Sequence, residues 1–279
     1  MPENQNTYLN EQLPLYHATG SFDKLKKILR EGFKPSYCEE SISTDWSDEE
    51  SKKEAETFHE AYRYRESFPE MYPTRELQDS NRISAYFPTI SFCSVHLDHA
   101  CQRMKSYGNY GVAMARNWGR DNGLNPVLYY EKSANVCKSF VRSFFWLRYN
   151  TRDIEHAIQS DDWISGKAIA IRSLVQTFAY AKNFYAPLLR GGDLAEENYP
   201  FGYEREWRIW FDLENKPKFV PASDFDGDVK NELNSDIKER LTFQMNDIEA
   251  VFVRNDGEKE ELEKSFADLI GKVRINHAK

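Results

Sequence analysis

The sequence lacks several features that would assign it to a common class of protein. It has no run of about 18 apolar residues, so we expect no membrane-spanning helix. The stretch Met1–Asn10 is polar and lacks a basic segment followed by an apolar one, so we expect no secretory signal. The four cysteines have no CxxC spacing; they are Cys38, Cys93, Cys101 and Cys137. We therefore expect reduced thiols and a cytoplasmic location.

The chain also lacks an excess of positive charge and the usual phosphate-binding motifs. Its net charge of −8 argues against a protein that coats nucleic acid, although a local basic groove and a nucleic-acid target stay compatible with it. GxxxxGK[ST], GxGxxG and GxSxG are all missing from the sequence. Phosphate-loop, Rossmann and α/β-hydrolase interpretations therefore have no support.

One cysteine–histidine spacing invites a zinc interpretation. Cys93, His96, His99 and Cys101 form the pattern C-x2-H-x2-H-x-C. If Cys93 ends a strand and the later residues lie on a helix, the four side chains do not converge readily. We therefore expect no metal site here.

What the sequence does contain favours a packed α+β fold. Aromatic residues make up 14% of the sequence, which favours a well-packed core. The length of 279 residues is enough for one large domain, which we assign to residues 1–279. Leu13–Thr19 reads as a buried strand, and Ser21 can cap a helix over Phe22–Glu31 that Gly32 ends. Further strands are predicted at Phe87–Val95, Tyr110–Ala115, Pro126–Tyr130, Phe219–Val220 and Ile248–Val253, and helices at Leu97–Tyr107 and Glu258–Lys272.

Two segments read as insertions into this fold. Residues 39–80 are acidic and then mixed in charge, with scattered aromatic residues, and residues 133–190 have mostly helical apolar spacing. Between elements, Trp118–Asn125 is predicted to be a turn-rich loop and Gly191–Pro200 an exposed loop. The expected architecture is therefore a split mixed or antiparallel sheet with helical insertions.

The densest chemistry lies in Gly202–Phe211, which holds two carboxylates, two arginines and several aromatic residues. As a continuous strand, it would place Glu204, Glu206, Arg208 and Trp210 on one face and Arg205, Trp207, Ile209 and Phe211 on the other. Such a stretch is either a structural glutamate–arginine pair or a site carboxylate oriented by an arginine. The arginines could equally bind phosphate or pair with the glutamates.

The order of the candidate residues resembles the ADP-ribosyltransferase plan. His17 lies near the end of a first strand that also carries Thr19. Ser91 and Phe92 lie on a second strand, Tyr107 and Tyr110 follow, and Glu204 and Glu206 come late. The resemblance implies NAD as substrate, with His17, Thr19, Ser91, Phe92 and Tyr107 or Tyr110 binding it. It also implies that Glu206, or next Glu204, stabilises the cation that forms as nicotinamide leaves.

Longer motifs resemble the abortive-phage-resistance AbiGi family. They are "YHATGSFDKLKKILREGFKPSYCEE", "FPTISFCSV", "YGNYGVAMARNWGRDNGLNPVLYYEKS" and "YEREWRIW". One departure is His96, where the family tends to carry proline. This resemblance implies the antitoxin-side component of a phage-defence pair, with a cognate toxin or a phage component as partner.

Two function hypotheses follow. The first is an ADP-ribosyltransferase-like enzyme that transfers ADP-ribose to a macromolecule or cleaves NAD. The second is a non-catalytic antitoxin or sensor that binds a partner. The enzyme hypothesis requires Glu206 and His17 to converge on one cleft within reach of a ribose. A cleft filled by Trp207 or Trp210, or glutamates locked to arginine on the outer surface, would favour the binding role.

Overall fold

The computed structural model describes residues 13–45, 53, 82–94, 96, 107–150, 166–190, 193–222 and 227–276. Over these residues the chain combines a mixed β-sheet with six α-helices, so the predicted α+β class is confirmed. The finer expectation of an ADP-ribosyltransferase-like arrangement stays a prediction.

The first two elements follow the sequence prediction closely. Strand β1 spans Leu15–Thr19 and helix α1 spans Phe22–Glu31. The Ser21 side chain accepts a hydrogen bond from the backbone N–H of Lys24, which satisfies a donor in the first turn. Gly32 ends the helix at φ 88°, a left-handed conformation that favours glycine.

The remaining described elements are twelve strands and five α-helices. The strands are β2 (Ser36–Ser43), β3 (Arg82–Ser94), β4 (Tyr110–Met114), β5 (Asn125–Pro126), β6 (Leu128–Tyr130), β7 (Ala181–Asn183), β8 (Ala186–Arg190), β9 (Asp193–Tyr199), β10 (Glu206–Trp210), β11 (Val220–Pro221), β12 (Ile248–Val253) and β13 (Val273–Ile275). The helices are α2 (Arg116–Asp121), α3 (Asn135–Asn150), α4 (Gly166–Ala179), α5 (Gly227–Ser235) and α6 (Asp256–Ser265), with short 3-10 helices at Phe201–Glu204, Met245–Asp247 and Ala267–Leu269.

Nine of the described strands form one sheet. Its order is β13-β12-β4-β1-β3-β10-β5, and β2 and β11 also pair with β3. The β12–β13 pair is parallel and the other pairs in this sheet are antiparallel, which makes the sheet mixed. Two small two-stranded sheets, β6–β7 and β8–β9, complete the described strands.

The sheet has two covered faces. On one, which we call the α1 face, Leu15 and Phe92 pack with Leu25 of helix α1 in the largest apolar cluster. On the other, which we call the α4 face, Phe87 of β3 packs edge-to-face against Phe178 of helix α4, with ring centroids 5.3 Å apart. Because successive strand residues point to opposite faces, the register decides on which face each candidate residue lies.

The structure describes only parts of the two predicted insertions, so their extent stays a prediction. Residues 39–43 belong to β2, where Glu40 and Ile42 point inward, so the acidic composition concealed a sheet strand. The rest of the 39–80 segment lies almost entirely outside the described residues. The 133–190 segment contains the predicted helices α3 and α4, but its last part forms β7 and β8 rather than helix.

Other element predictions also need correction. The Trp118–Asn125 loop prediction is wrong at its start, which is part of helix α2, and the predicted loop after Gly191 contains strand β9. The predicted C-terminal helix ends at Ser265 and is followed by a 3-10 turn and β13, which leaves Ile270 67% exposed. The helix predicted at Leu97–Tyr107 lies outside the described residues, apart from its last residue.

Gly32 offers a direct test of the α1 boundary. Its backbone has φ 88°, and an added Cβ would lie 2.7 Å from the Leu241 carbonyl oxygen. We expect Gly32→Ala to lower the free energy of unfolding by about 1–3 kcal/mol, measured by urea denaturation. Gly20→Ala is the control, because a Cβ there meets nothing within 4 Å. An equal loss in both variants would contradict this assignment.

Candidate functional site

The stretch before β10 is not one continuous strand. Phe201–Glu204 forms a 3-10 helix, and Arg205 then adopts the left-handed conformation at φ 48° and ψ 53°. The prediction that Glu204 shares a strand face with Glu206 is therefore wrong, because the turn at Arg205 breaks the alternation. Within β10 itself, Glu206, Arg208 and Trp210 do alternate as predicted.

Arg208 is the centre of a buried ion network, which we define as Glu40, Lys182, Glu206 and Arg208. The Arg208 side chain is fully buried. Its Nη2 lies 2.7 Å from Glu206 Oε1 and 2.9 Å from Glu40 Oε1, and its Nε donates to the same Glu206 oxygen at 3.0 Å. Its Nη1 donates to the Ala179 carbonyl at 2.6 Å. One guanidinium therefore links β2, β10 and the end of α4.

Glu206 is held on all sides within this network. Lys182 Nζ donates to its second oxygen, Oε2, at 3.2 Å, and the Ser91 hydroxyl also hydrogen-bonds to the carboxylate. The Glu206 backbone N–H donates to the Tyr129 hydroxyl at 2.9 Å. Burial favours the neutral acid, but the charges of Arg208 and Lys182 outweigh it and lower the pKa of Glu206 to about 2. Glu206 is therefore a fixed anion and not a free base.

Glu40 has the opposite balance. Burial raises the pKa of its carboxyl, and the attraction of Arg208 offsets this only in part. Its Oε2 is buried and has no hydrogen-bond partner among the described residues. Such an oxygen is better accommodated as a protonated acid than as a charged one.

Glu204 lies in a separate hydrogen-bonded group with two tyrosines. The hydroxyls of Tyr107 and Tyr199 donate to the same carboxylate oxygen, Oε1, at 2.6 and 2.8 Å. Burial is the largest influence and raises the pKa of Glu204, while Lys182 and the tyrosine hydroxyls act against it. Burial beside Glu204 also raises the pKa of Tyr107 well above its ordinary range. The structure thus places the predicted Tyr107 directly against one of the two predicted glutamates.

His17 lies on the α1 face. Its Nδ1 is 2.9 Å from the backbone oxygen of Ser91, and its ring packs between Phe33 and Phe92 with centroid distances of 5.1 and 5.4 Å. Burial lowers the pKa of the His17 imidazole. A neutral imidazole that donates to the Ser91 carbonyl fits this environment.

The register separates His17 from Glu206. Tyr16 pairs with Cys93, and Cys93 pairs with Glu206, so these three share the α4 face. His17 is the next residue along β1, so its side chain points to the other face. The two residues that the enzyme hypothesis needs in one cleft therefore lie on opposite sides of the sheet.

The other predicted site residues divide in the same way. Thr19 pairs with Tyr110 at the far end of β1, and the Tyr110 hydroxyl donates to Glu258 of α6 at 2.9 Å. The α4 side holds Ser91, Tyr107, Glu204 and Glu206, and the α1 side holds His17, Thr19, Phe92 and Tyr110. The structure does not gather the eight residues into one pocket, and the roles assigned to them stay predictions.

A comparison with family models assigns the chain to a family. Residues 71–254 match the model described as "Putative abortive phage resistance protein AbiGi, antitoxin", which covers more than half of the chain. The chain belongs to the AbiGi family. The matched range runs from before β3 to the end of β12, so it contains Lys182, Glu204, Glu206 and Arg208. His17 and Glu40 lie before it.

No curated protein and no solved structure matches the chain. Within the described residues of this AbiGi protein, no helix is long and apolar enough to cross a membrane. The same residues contain no group of three or more potential metal ligands of the His, Cys, Asp and Glu types. His99 and Cys101 of the zinc-like spacing lie outside the described residues, so its expected failure to bind metal stays a prediction.

Several residues of the site in this AbiGi protein were missed by sequence reasoning. Glu40 could have been found from its two-residue spacing to Ile42, which places both on one face of a strand, but its acidic neighbours favoured a loop. Lys182 lies on the three-residue β7, and Tyr199 ends β9; neither strand has a local pattern that predicts it. Their contacts with the glutamates depend on the tertiary fold.

Removing Arg208 tests the buried ion network. Arg208→Met would leave Glu40 and Glu206 buried without their main cation, so we expect a loss of about 3–5 kcal/mol in unfolding free energy. Arg205→Met is the matched control, because Arg205 is exposed and should change stability by no more than about 0.5 kcal/mol. Chemical denaturation at neutral pH measures both. Similar losses would show that the network is not the cause.

The two glutamates should respond oppositely to pH. The pKa of Glu206 lies at about 2, below its ordinary 4.5, so its contribution to stability is present above pH 4.5 and lost as pH falls towards 2. Glu206→Gln should therefore destabilise the protein most at neutral pH, with a deficit that shrinks between about pH 4.5 and 2.

Glu204 has a raised pKa, so ionising it costs the folded state stability as pH rises above 4.5. Glu204→Gln keeps an oxygen that can accept from Tyr107 and Tyr199 and removes that cost. We expect this variant to be at least as stable as the wild type at neutral pH, with an advantage that shrinks on acidification. Thermal unfolding across this pH range measures both variants, and parallel profiles would contradict the opposite shifts.

Proposed function

We propose that this AbiGi protein is the antitoxin-side component of an abortive-infection system and acts by binding a toxin partner without catalysis. The observation that carries the proposal is the locked state of Glu206. Both of its oxygens are engaged by Arg208 and Lys182, and the residue is 4% exposed. A carboxylate held in this way has no free lone pair directed at a substrate.

The placement of His17 adds support. The residue that the catalytic hypothesis pairs with Glu206 lies on the other side of the sheet, packed between phenylalanine rings. The description of the family as an antitoxin agrees with a binding role. Arg208 and Lys182 hold the Glu206 carboxylate in one position. A rigid arrangement of this kind suits a preformed surface that binds a partner with little change of shape.

A co-expression experiment tests the antitoxin role. The chain is expressed together with the product of each gene that flanks its own, as the candidate toxin, and growth and co-elution of the two proteins on a sizing column are measured. We expect the wild type and Glu204→Gln to restore growth equally, because binding does not use the ionised carboxyl. Loss of protection by a folded Glu204→Gln would contradict a non-catalytic role, and so would protection without a complex.

A second candidate is the ADP-ribosyltransferase-like use of NAD. The observation in its favour is the 2.6 Å hydrogen bond between Tyr107 and Glu204, because it joins an aromatic ring and a carboxyl that the resemblance assigns to one site. The fit is partial, since His17, Thr19, Phe92 and Tyr110 lie on the opposite face. We therefore derive no catalytic step from it.

Incubation with labelled NAD separates the two candidates. An NAD-using enzyme should release nicotinamide or transfer label, and Glu204→Gln should abolish this while the protein stays folded. The antitoxin proposal predicts no turnover by the wild type or by Glu204→Gln. Glu206→Gln serves as a comparison, because its loss of stability at neutral pH can be measured separately. Turnover that depends on Glu204 would contradict the non-catalytic proposal.

A further inference from the structure

Three arginines gather at the end of β3, around Ser94. The Ser94 backbone N–H donates to the Arg205 carbonyl at 3.2 Å, and Arg116 Nη1 donates to the Ser94 hydroxyl at 2.9 Å. Arg120 lies one helical turn after Arg116 on α2, so the two share a side of that helix. We call Arg116, Arg120 and Arg205 the Ser94 arginine cluster.

The cluster is not neutralised by acidic residues. In the part of the chain that the structure describes, none of its three guanidinium groups forms an ion pair, whereas Arg208, Arg82 and Arg240 each pair with a glutamate. Burial, and then repulsion from Arg120 and Arg205, lowers the pKa of Arg116. The chain as a whole carries a charge of −8, so this locally positive surface stands out against an acidic background.

The cluster is also held in position. The Arg116 guanidinium lies over the Trp207 ring, with its Cζ 4.4 Å from the ring centroid, and the Ser94 hydroxyl fixes one of its donors. Arg120 donates to the Asn117 side chain, while Arg205 is exposed. An arginine has five N–H donors, so most of the donors of the cluster stay available to a ligand.

We propose that the Ser94 arginine cluster binds the phosphate groups of a nucleotide or a nucleic acid. Arg116 and Arg120 share a side of α2, and the charges of Arg120 and Arg205 both act on Arg116, so three positive charges lie close enough together to attract one anion with several charges. The guanidinium fork matches phosphate oxygens in pairs. An acidic peptide presents single, more widely spaced charges and fits this arrangement less well. None of the three arginines of the Ser94 arginine cluster belongs to the buried ion network on which the proposed antitoxin role rests. The phosphate proposal can therefore be tested independently of toxin binding.

Binding measurements with defined probes test the proposal on the full chain. Calorimetry is carried out with pyrophosphate and with ATP, and fluorescence anisotropy with a short fluorescein-labelled oligoribonucleotide. We expect Arg120→Glu and Arg205→Glu each to weaken binding by about tenfold or more, the equivalent of about 1.4 kcal/mol. Arg274→Glu is the control, because Arg274 is exposed on β13 and its reversal changes the net charge equally.

Arg205→Gly guards against a folding artefact. Arg205 has φ 48°, so glycine removes the charge while relaxing the backbone. We expect this variant to lose affinity while its thermal midpoint stays the same or rises. Retained affinity in Arg205→Gly would remove Arg205 from the site and overturn the cluster as proposed.

The remaining outcomes identify the source of the phosphate or reject the proposal. Binding of pyrophosphate and ATP supports a small phosphorylated ligand, whereas oligonucleotide binding that weakens steeply with salt supports a nucleic-acid backbone. Binding of poly-glutamate with no binding of the phosphate probes would overturn the proposal in favour of an acidic polypeptide. Equal losses in Arg274→Glu would reveal non-specific attraction, and no binding of any probe would refute the site.

Discussion

The fold depends on a single buried cation. Arg208 has no exposed surface and bonds at once to Glu206 on its own strand, Glu40 on β2 and the last turn of α4. Such a group is stable only when its partners are placed accurately, because an unpaired buried charge costs several kcal/mol. The positions of β2, α4 and β10 are therefore coupled, and Lys182 adds β7 to the set. The network fixes how these elements meet more strictly than apolar packing alone would.

Function follows from the same constraint. Glu206, the carboxylate that the sequence predicts to be catalytic, is the anion that neutralises Arg208. A carboxylate that is fixed as a structural counter-ion is poorly suited to act as a mobile base. Glu204 differs, because it is held by two tyrosine hydroxyls and has a raised pKa. Membership in the AbiGi family and the locked state of Glu206 both support the binding role that we propose.

Short sequence patterns correctly predicted the helices and strands that a cap, a glycine or an apolar run marks. The cap at Ser21, the glycine stop at Gly32 and the buried strand at Ile248–Val253 were all predictable from their residues. The pairing of Glu206 with Arg208 was one of two interpretations open from the sequence, and two-residue strand alternation was enough to suggest it. Alternation failed at Glu204, because nothing in the sequence signals a left-handed arginine. Strand alternation also could not predict that Glu40 and Lys182, from strands distant in sequence, contact this site. Nor could it predict the strand register that places His17 on the other face of the sheet.

The backbone at Arg205 has a consequence for how this sequence would tolerate redesign. A non-glycine residue in the left-handed region costs roughly 1 kcal/mol, which glycine would recover. Replacing this arginine by glycine for the sake of stability would delete an exposed positive charge from an acidic protein. At this position the backbone favours glycine, whereas the proposed phosphate site requires the arginine side chain.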